Sequence, residues 1–174
     1  MDLMCVDRNT INLIVTAYFI GFSVSGLTIF ALPDRWGCKK TIAVFNSIHI
    51  AAQFTVLFVS NYYARLVMFL VMGLCQLKNS ISYMWLFGLI ERQHNSICCG
   101  IMNCWDCLAL TTITLYFMFI SKNWFPLMFT IAALGAISHI FMLVAAPESP
   151  KWLLSKGYKD ECIEAINRIA VFNK

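Results

Sequence analysis

Long apolar stretches constrain this chain more than any other feature of its sequence. Five of them carry almost no charge, and each is close to the ~20 residues that a helix needs to cross the hydrocarbon core of a membrane. They cover residues 11–32, 41–59, 66–90, 97–120 and 125–146. With 60% hydrophobic and 13% charged residues, the composition lies outside the range of soluble domains. The sequence therefore predicts an all-α, multi-pass transmembrane bundle with five spanning helices.

Lysine and arginine are distributed unevenly among the connections, which indicates how the chain is oriented. One side carries Arg35, Lys39, Lys40, Arg92, Lys151, Lys156 and Lys159, and the other carries Arg8, Arg65 and Lys122. The richer side marks the cytoplasm, so the carboxyl-terminal region 147–174 is predicted to be a cytoplasmic amphipathic helical segment. The amino terminus then lies outside, and either Met1 is an internal start or further sequence precedes it. We expect a plasma membrane, with an organelle membrane as the alternative.

The connection between the first two stretches reads "LPDRWGCKKT". It is short enough for a tight turn, in which Gly37 permits a positive φ and Lys39 and Lys40 face lipid headgroups. The order of Asp34, Arg35, Gly37 and the two lysines resembles the signature loop between the second and third helices of the major facilitator superfamily. That resemblance implies a conformational latch, whose charged residues break and re-form contacts as two halves of a transporter rock.

Four further residues bear on this latch. The signature loop departs from the family pattern at Phe30, where a small residue is expected, and at Cys38, where a basic residue is expected. In the connection between the fourth and fifth family helices, the family carries a Glu and a later Arg. Glu91 matches the Glu, and Arg92 directly follows it. The latch is therefore expected to include Glu91 and Arg92, with a solvated connection as the alternative interpretation.

A second motif follows the last apolar stretch, where "AAPESPKWLLSKG" ends the span. Pro147 stops the helix, Ser149 is a suitable N-cap, and a break near Gly157 separates two short helices. The motif consists of Pro147, Glu148, Ser149, Pro150, Lys151 and Trp152. It resembles the start of the central cytoplasmic loop, the hinge region, in the organic-ion and sugar-porter branches of the same superfamily. The ending "INRIAVFNK" favours the organic cation and anion branch.

The two motifs stand in the family's order, so the resemblance makes the five stretches the second to sixth helices of a twelve-helix transporter. It implies a partial major facilitator fold and alternating-access transport, secondary-active or facilitative, of small organic solutes, with organic ions favoured. The partners would be the lipid bilayer, the solute, and the first helix and carboxyl-terminal half that this chain lacks. A degenerate, non-transporting subunit or scaffold remains the alternative.

Two charged residues interrupt the apolar stretches, Lys78 and Asp106. Their depths below the cytoplasmic surface nearly match, and an unpaired charge inside a membrane is costly. We therefore expect them either to pair with each other or to face a wet cavity as substrate or coupling groups. The residues near them that complete the candidate pocket are Gln76, Asn79, Tyr83, Asn103 and Trp105.

The remaining sequence features favour packing over chemistry. The "CWDC" segment has metal spacing but lacks a second ligand pair, so no metal or cofactor is expected. No clustered set of residues has catalytic spacing, which argues against an enzyme, and the net charge of +4 reflects membrane topology rather than a nucleic-acid partner. His49 and His139 are expected to be hydrogen-bonded packing residues rather than proton relays. Ala17, Gly21 and Ser25 form a smooth face for close helix contact, with a partner expected outside this sequence.

Overall fold

The computed structural model describes residues 8–90 and 92–172 of the 174-residue chain. Within these ranges the chain forms α-helices joined by short connections, with a 3₁₀ turn at Arg92–His94 and a π-helical turn at Tyr116–Ile120. In chain order the α-helices are α1 (Arg8–Thr28), α2 (Leu32–Trp36), α3 (Cys38–Phe58), α4 (Tyr62–Cys75), α5 (Lys78–Leu89), α6 (Asn95–Leu115), α7 (Trp124–Ala145), α8 (Pro150–Ser155) and α9 (Lys159–Phe172). The predicted all-α fold is confirmed.

Four helical segments of the described chain are long and apolar enough to cross a membrane. They are Cys38–Phe58, Tyr62–Leu89, Asn95–Ile120 and Trp124–Ala145. These segments coincide with the last four predicted stretches. The first predicted stretch forms α1, whose apolar part Asn12–Thr28 is shorter, so a fifth crossing stays a prediction.

The second of these segments is interrupted between α4 and α5, which the apolar pattern did not reveal. Around the break, the Gln76 N–H donates to the Gly73 carbonyl (3.0 Å) and the Asn79 N–H donates to the Gln76 carbonyl (3.1 Å). Bonds to carbonyls three residues back are the tighter 3₁₀ pattern, which often marks a hinge or strain. The interruption makes Lys78 the first residue of α5, in the interior of a membrane-spanning segment.

Helices α1 and α4 touch through their backbones. A Cβ atom on Gly73 of α4 would overlap the Tyr18 carbonyl, and one on Gly21 of α1 would overlap the Leu70 carbonyl. Ala17 and Ser25 are buried on the same face of α1. The expectation that this small-residue face packs on a partner outside the sequence is therefore wrong, because the Gly73 face of α4 is complementary to it and only small residues allow such an approach.

Helix α3 lies at the centre of the packed part of the chain, in contact with α4, α5 and α7. One buried apolar cluster joins it to the region of the helix break, and a second joins it to α4. The first cluster contains Ile42, Leu77 and Ile81, and the second contains Ala52, Val56 and Met72. These contacts hold α3, α4 and α5 in fixed positions next to each other.

At the end of the bundle away from Asp34, a buried arginine connects three helices. The Nε of Arg65, on α4, donates to the Val59 carbonyl at the end of α3 (2.6 Å). Its guanidinium lies over the ring of Trp124, the first residue of α7, 5.7 Å from the ring centroid. Arg65 thus supplies the donor that the last turn of α3 lacks and a cation–π contact to α7.

After α7 the chain leaves the bundle and forms the two short helices that the sequence predicts. Gly157, with φ of 83°, lies between α8 and α9, where a left-handed conformation favours glycine. Leu153 of α8 packs on Cys162 and Ala165 of α9, with Trp152 beside them. The two helices therefore form a small unit of their own, directly after the apolar bundle.

Candidate functional site

The two sequence motifs meet at a carboxylate that caps α3. The Oε1 atom of Glu148 accepts from the backbone N–H of Lys39 (2.9 Å) and from the N–H of Ser149 (3.1 Å). The first N–H groups of a helix have no partner within the helix, and the helix dipole favours a negative charge there. Glu148 therefore links the signature loop to the hinge motif across 109 residues.

Gly37 makes room for this carboxylate. Its φ of 96° suits glycine, and a Cβ atom there would lie 2.7 Å from the Oε2 of Glu148. That Oε2 atom is buried and has no hydrogen-bond partner among the residues that the structure describes. Any other residue at position 37 would force the carboxylate away from the start of α3.

Two further hydrogen bonds fasten the same loops. The indole Nε1 of Trp152 donates to the Asp34 carbonyl (3.2 Å), and the Lys39 ammonium donates to the Leu143 carbonyl near the end of α7 (3.1 Å). We call this contact region, formed by residues 34–39 and 147–152, the loop junction. It ties the start of α3, the end of α7 and α8 together.

Helix α5 also reaches the loop junction. Trp85 of α5 donates through Nε1 to the Pro147 carbonyl (3.3 Å), and the Ser149 side chain lies against Gly88. Ser149 occupies the N-cap position of α8, but its side chain makes no capping hydrogen bond, so the predicted capping role is wrong. Its hydroxyl is instead turned towards α5, where glycine leaves space.

The other motif residues occupy more open positions. Arg35, Lys40 and Lys151 are exposed, and Pro150 is the first residue of α8. Glu91 lies outside the described residues, and Arg92 begins the 3₁₀ turn that follows it. The role predicted for these residues in a latch stays a prediction.

Within the bundle, Lys78 lies beside a histidine and a cysteine. The ammonium is half-buried and close enough to His49 of α3 and Cys75 of α4 to interact with both electrostatically. The Nδ1 atom of His49 is buried without a hydrogen-bond partner in the described ranges. The break between α4 and α5 thus places a cation in the interior of the bundle, with Gln76 in the break itself.

Asp106 is held by a different partner. Its Oδ2 accepts from the Tyr83 hydroxyl (2.9 Å), which joins α6 to α5. Among residues 8–90 and 92–172, no ion pair connects Asp106 to Lys78. Of the two arrangements expected from the sequence, the direct pair is therefore not the one in this structure.

The remaining pocket candidates are not gathered around either charge. Asn79 is exposed at the start of α5, and Trp105 is 72% exposed on α6. Asn103 is also exposed, and its amide donates to the Cys99 carbonyl of its own helix (3.0 Å). The structure thus brings Tyr83 to Asp106 and leaves these three side chains open on the surface of the chain.

A part-buried polar network between α3 and α7 was missed in part by sequence reasoning. The Ser47 hydroxyl donates to the Ala43 carbonyl (2.8 Å), so its oxygen accepts from Nε2 of His139 (2.8 Å). The amide of Asn46 donates to Nδ1 of His139 (3.0 Å). His139 has a hydrogen-bond partner at both ring nitrogens, which confirms the predicted packing role. The adjacent polar residues Asn46 and Ser47 within an apolar stretch were the available signal.

Comparison with known proteins identifies the relatives of this chain. Residues 6–171 match the family described as "Sugar (and other) transporter". The chain is 25% identical over 173 residues to "Organic cation/carnitine transporter 2" of Rattus norvegicus and 24% identical to its Homo sapiens counterpart. It is 23% identical to "Solute carrier family 22 member 4" of Mus musculus. Each alignment covers 99% of this chain and 31% of the relative, so the chain spans about a third of their length.

Proposed function

Because the chain belongs to the sugar (and other) transporter family, we propose that it is part of an alternating-access transporter of small organic solutes, organic ions in particular. The observation that carries this proposal is the loop junction. Glu148 caps α3 and Trp152 bonds to the Asp34 carbonyl, so the signature loop and the hinge region move as one unit. Such a unit transmits the rocking of two bundles from one loop to the other.

The latch is proposed to work through exposed charges at this junction. Arg35 and Lys40 are exposed beside the capped start of α3, where they are free to contact the other half of the transporter. The carboxylate of Glu148 accepts a hydrogen bond from the backbone N–H of Lys39 and thereby keeps the signature loop in one conformation. Partner contacts to the exposed charges then form and break while the loop itself stays rigid.

The solute is proposed to bind between α4–α5 and α6. Asp106 and the Tyr83 ring offer a carboxylate and an aromatic face, which suit an organic cation. Lys78 is separated from Asp106, so it remains available for a carboxylate. The names of two relatives contain "organic cation/carnitine", and carnitine carries both a quaternary ammonium and a carboxylate. A solute with both charges therefore fits the two separate groups.

The proposed topology places the loop junction and residues 147–172 in the cytoplasm, in a plasma-membrane protein whose further helices pack on α6. None of the α6 residues that the structure describes is buried, which supports a contact with additional helices. Cys162 is buried, so a cysteine introduced at exposed Lys156 is the better topology reporter. Labelling of that cysteine from outside intact cells would reverse this orientation.

Uptake tests the proposal in cells that express the complete reading frame encoding this chain. With tetraethylammonium and carnitine as probes, we expect uptake of at least one, and Glu148→Gln should reduce it by about tenfold at equal surface expression. Asp160→Asn, an exposed carboxylate on α9, is the matched control and should transport normally. Parent-level uptake by Glu148→Gln contradicts the junction mechanism, and no uptake of any organic ion contradicts the function.

The two charged groups are distinguished by the choice of probe. Lys78→Met should lose carnitine uptake while it retains tetraethylammonium uptake, because only carnitine needs a cation for its carboxylate. Asp106→Asn should lose both. If Lys78→Met impairs both probes equally at normal expression, Lys78 is not the carboxylate-binding group.

A further inference from the structure

Of the histidines that the structure describes, two lie in membrane-spanning segments, and their surroundings differ. His139 has a partner at both ring nitrogens. The ring of His49 interacts with the Met72 carbonyl of α4, but its Nδ1 atom is buried without a hydrogen-bond partner among the described residues. A buried polar atom without a partner is costly, so packing alone does not account for a histidine at position 49.

His49 lies opposite the break between α4 and α5. The first apolar cluster joins α3 to the break and α5 on one side of His49, and the second joins α3 to α4 on the other side. This register places the ring next to the last residue of α4, Cys75, and the first residue of α5, Lys78. Cys75 is buried and Lys78 is half-buried. The ammonium and the imidazole therefore share the interior of the bundle.

Lys78 is the charged group that acts on His49. The two side chains interact electrostatically, and no described carboxylate contributes to the charge around the ring. The other titratable side chains of the packed helices are Cys75 beside Lys78, Tyr18 on the second apolar cluster, and His139 on α7. A second positive charge next to an ammonium is unfavourable where water is excluded. Proton binding at His49 is therefore linked to whatever compensates the charge of Lys78.

We propose that His49 binds a proton together with the solute carboxylate at Lys78, so that uptake of a carboxylate-bearing solute is coupled to protons. This inference rests on the proposed function, in which Lys78 receives the carboxylate. A bound carboxylate compensates the ammonium and thereby removes the electrostatic obstacle to a protonated His49. One proton from the aqueous side at which the site is open binds at Nδ1 for each carboxylate, and no other covalent bond forms or breaks.

Lys78 also provides the route to the ring. The Nδ1 atom of His49 is closed to solvent, whereas Lys78 is half-buried and carries three N–H donors on a flexible stem. Its ammonium donates to Nδ1, passes a proton along that hydrogen bond and regains one from the solute side. When the carboxylate leaves on the cytoplasmic side, the charge of Lys78 is again uncompensated, and His49 releases its proton.

The two probes of the proposed function distinguish coupling at His49 from a general effect of pH. Tetraethylammonium has no carboxylate and leaves Lys78 uncompensated, so it should move without a proton. Carnitine has a carboxylate and should move with one proton. Because carnitine itself has no net charge, each of its uptake cycles then carries one positive charge inwards.

The test uses proteoliposomes that contain the product of the complete reading frame encoding this chain and a pH-sensitive dye in the lumen. Carnitine should acidify the lumen, and tetraethylammonium should not. Lowering the outside pH from about 7.5 to about 6, the range in which histidine titrates, should raise carnitine uptake about tenfold. His49→Gln keeps a polar side chain without a titratable group, so it should retain carnitine uptake but lose the acidification and the pH dependence. His94→Gln, at an exposed position in the turn before α6, is the matched control and should behave as the parent.

The outcomes separate this inference from the proposed function. Carnitine uptake without acidification, or full pH dependence in His49→Gln, overturns the inference and leaves the transport function intact. Absence of uptake of both probes overturns the inference and the function together. If His49→Gln fails to fold, the parent protein decides, because equal acidification by carnitine and tetraethylammonium would show that the proton does not follow the carboxylate.

Discussion

Helices α6 and α7 follow each other in the chain and are both long and apolar, yet the rest of the chain covers them very differently. Helix α7 contacts α3 through Ala132, which is fully buried, and through His139 and its polar network. In α6, by contrast, no residue that the structure describes is buried. One hydrogen bond that joins α6 to another helix is donated by the Tyr83 hydroxyl of α5 to Asp106.

This difference shows that hydrophobicity and packing are separate properties in a membrane helix. Lipid tails are as apolar as leucine, so an apolar surface alone does not make one helix associate with another. Helix α7 is held by small residues and by complementary polar groups, the features that promote helix contact in membranes. Helix α6 carries its polar residues Asn103 and Asp106 on an open surface, which supports the proposal that further helices of the transporter cover it.

Two single glycine-to-alanine substitutions, one on α4 and one on α6, should show the largest difference in the free energy of unfolding. Gly73→Ala places a Cβ atom on the Tyr18 carbonyl, so α1 and α4 must separate, at a cost of about 3 kcal/mol. Gly100→Ala, on α6, meets no described heavy atom within 4 Å and should stabilise the helix by up to about 1 kcal/mol. Unfolding in detergent, followed by cysteine accessibility, measures both. Equal destabilisation by the two substitutions would mean that α6 is as tightly packed as α4.

Replacing His139 in the polar network between α3 and α7 should cause the next largest change in the free energy of unfolding. His139→Leu leaves the Asn46 amide without its acceptor and Ser47 without its donor, at a cost of about 2 kcal/mol. The matched control is Thr111→Leu on α6, where the exposed hydroxyl bonds only to the Cys107 carbonyl of its own helix (2.9 Å). The same unfolding assay should show little change for the control. If His139→Leu is as stable as the parent, the network does not hold α7 to α3.

The sequence was sufficient for features that depend on composition and local conformation. The apolar stretches indicated where the long apolar helices lie, and Gly157 marked the break between α8 and α9. The two motifs were also recognised, but their meeting at Glu148 was not, because the contact joins residues 109 positions apart. Such pairing depends on how the helices pack.

The candidate pocket illustrates a second limit. Lys78 and Asp106 were considered together because their depths in the membrane match. Depth fixes the height of a residue along its helix, but not the direction around the helix axis in which its side chain lies. That direction follows from packing, and here Asp106 lies against Tyr83. The break at Gln76 was equally hidden, since no proline marks it.

Replacing Arg65, at the end of the bundle away from Asp34, should reduce the free energy of unfolding by a smaller amount. Arg65→Lys keeps the charge but loses the Nε donor to the Val59 carbonyl and the planar contact with Trp124, at a cost of about 1 kcal/mol. Lys122→Arg, at an exposed position in the connection before α7, should be neutral. Thermal unfolding in detergent provides the measurement. Unchanged stability of Arg65→Lys would show that charge alone, without the fork geometry, holds the start of α7.

The smallest effect is expected when the hydrogen bond between Tyr83 of α5 and Asp106 of α6 is removed. Tyr83→Phe removes the bond to Asp106, and single hydrogen bonds between membrane helices are weak. We expect amide hydrogen exchange in α6 to rise by less than about tenfold, with no change in α7. Tyr116→Phe, whose hydroxyl bonds to the Asn123 carbonyl within the connection from α6 to α7 (3.1 Å), is the control and should leave the middle of α6 unaffected. If Tyr83→Phe also accelerates exchange in α7, the two helices are coupled through α5, and their different packing does not make them independent.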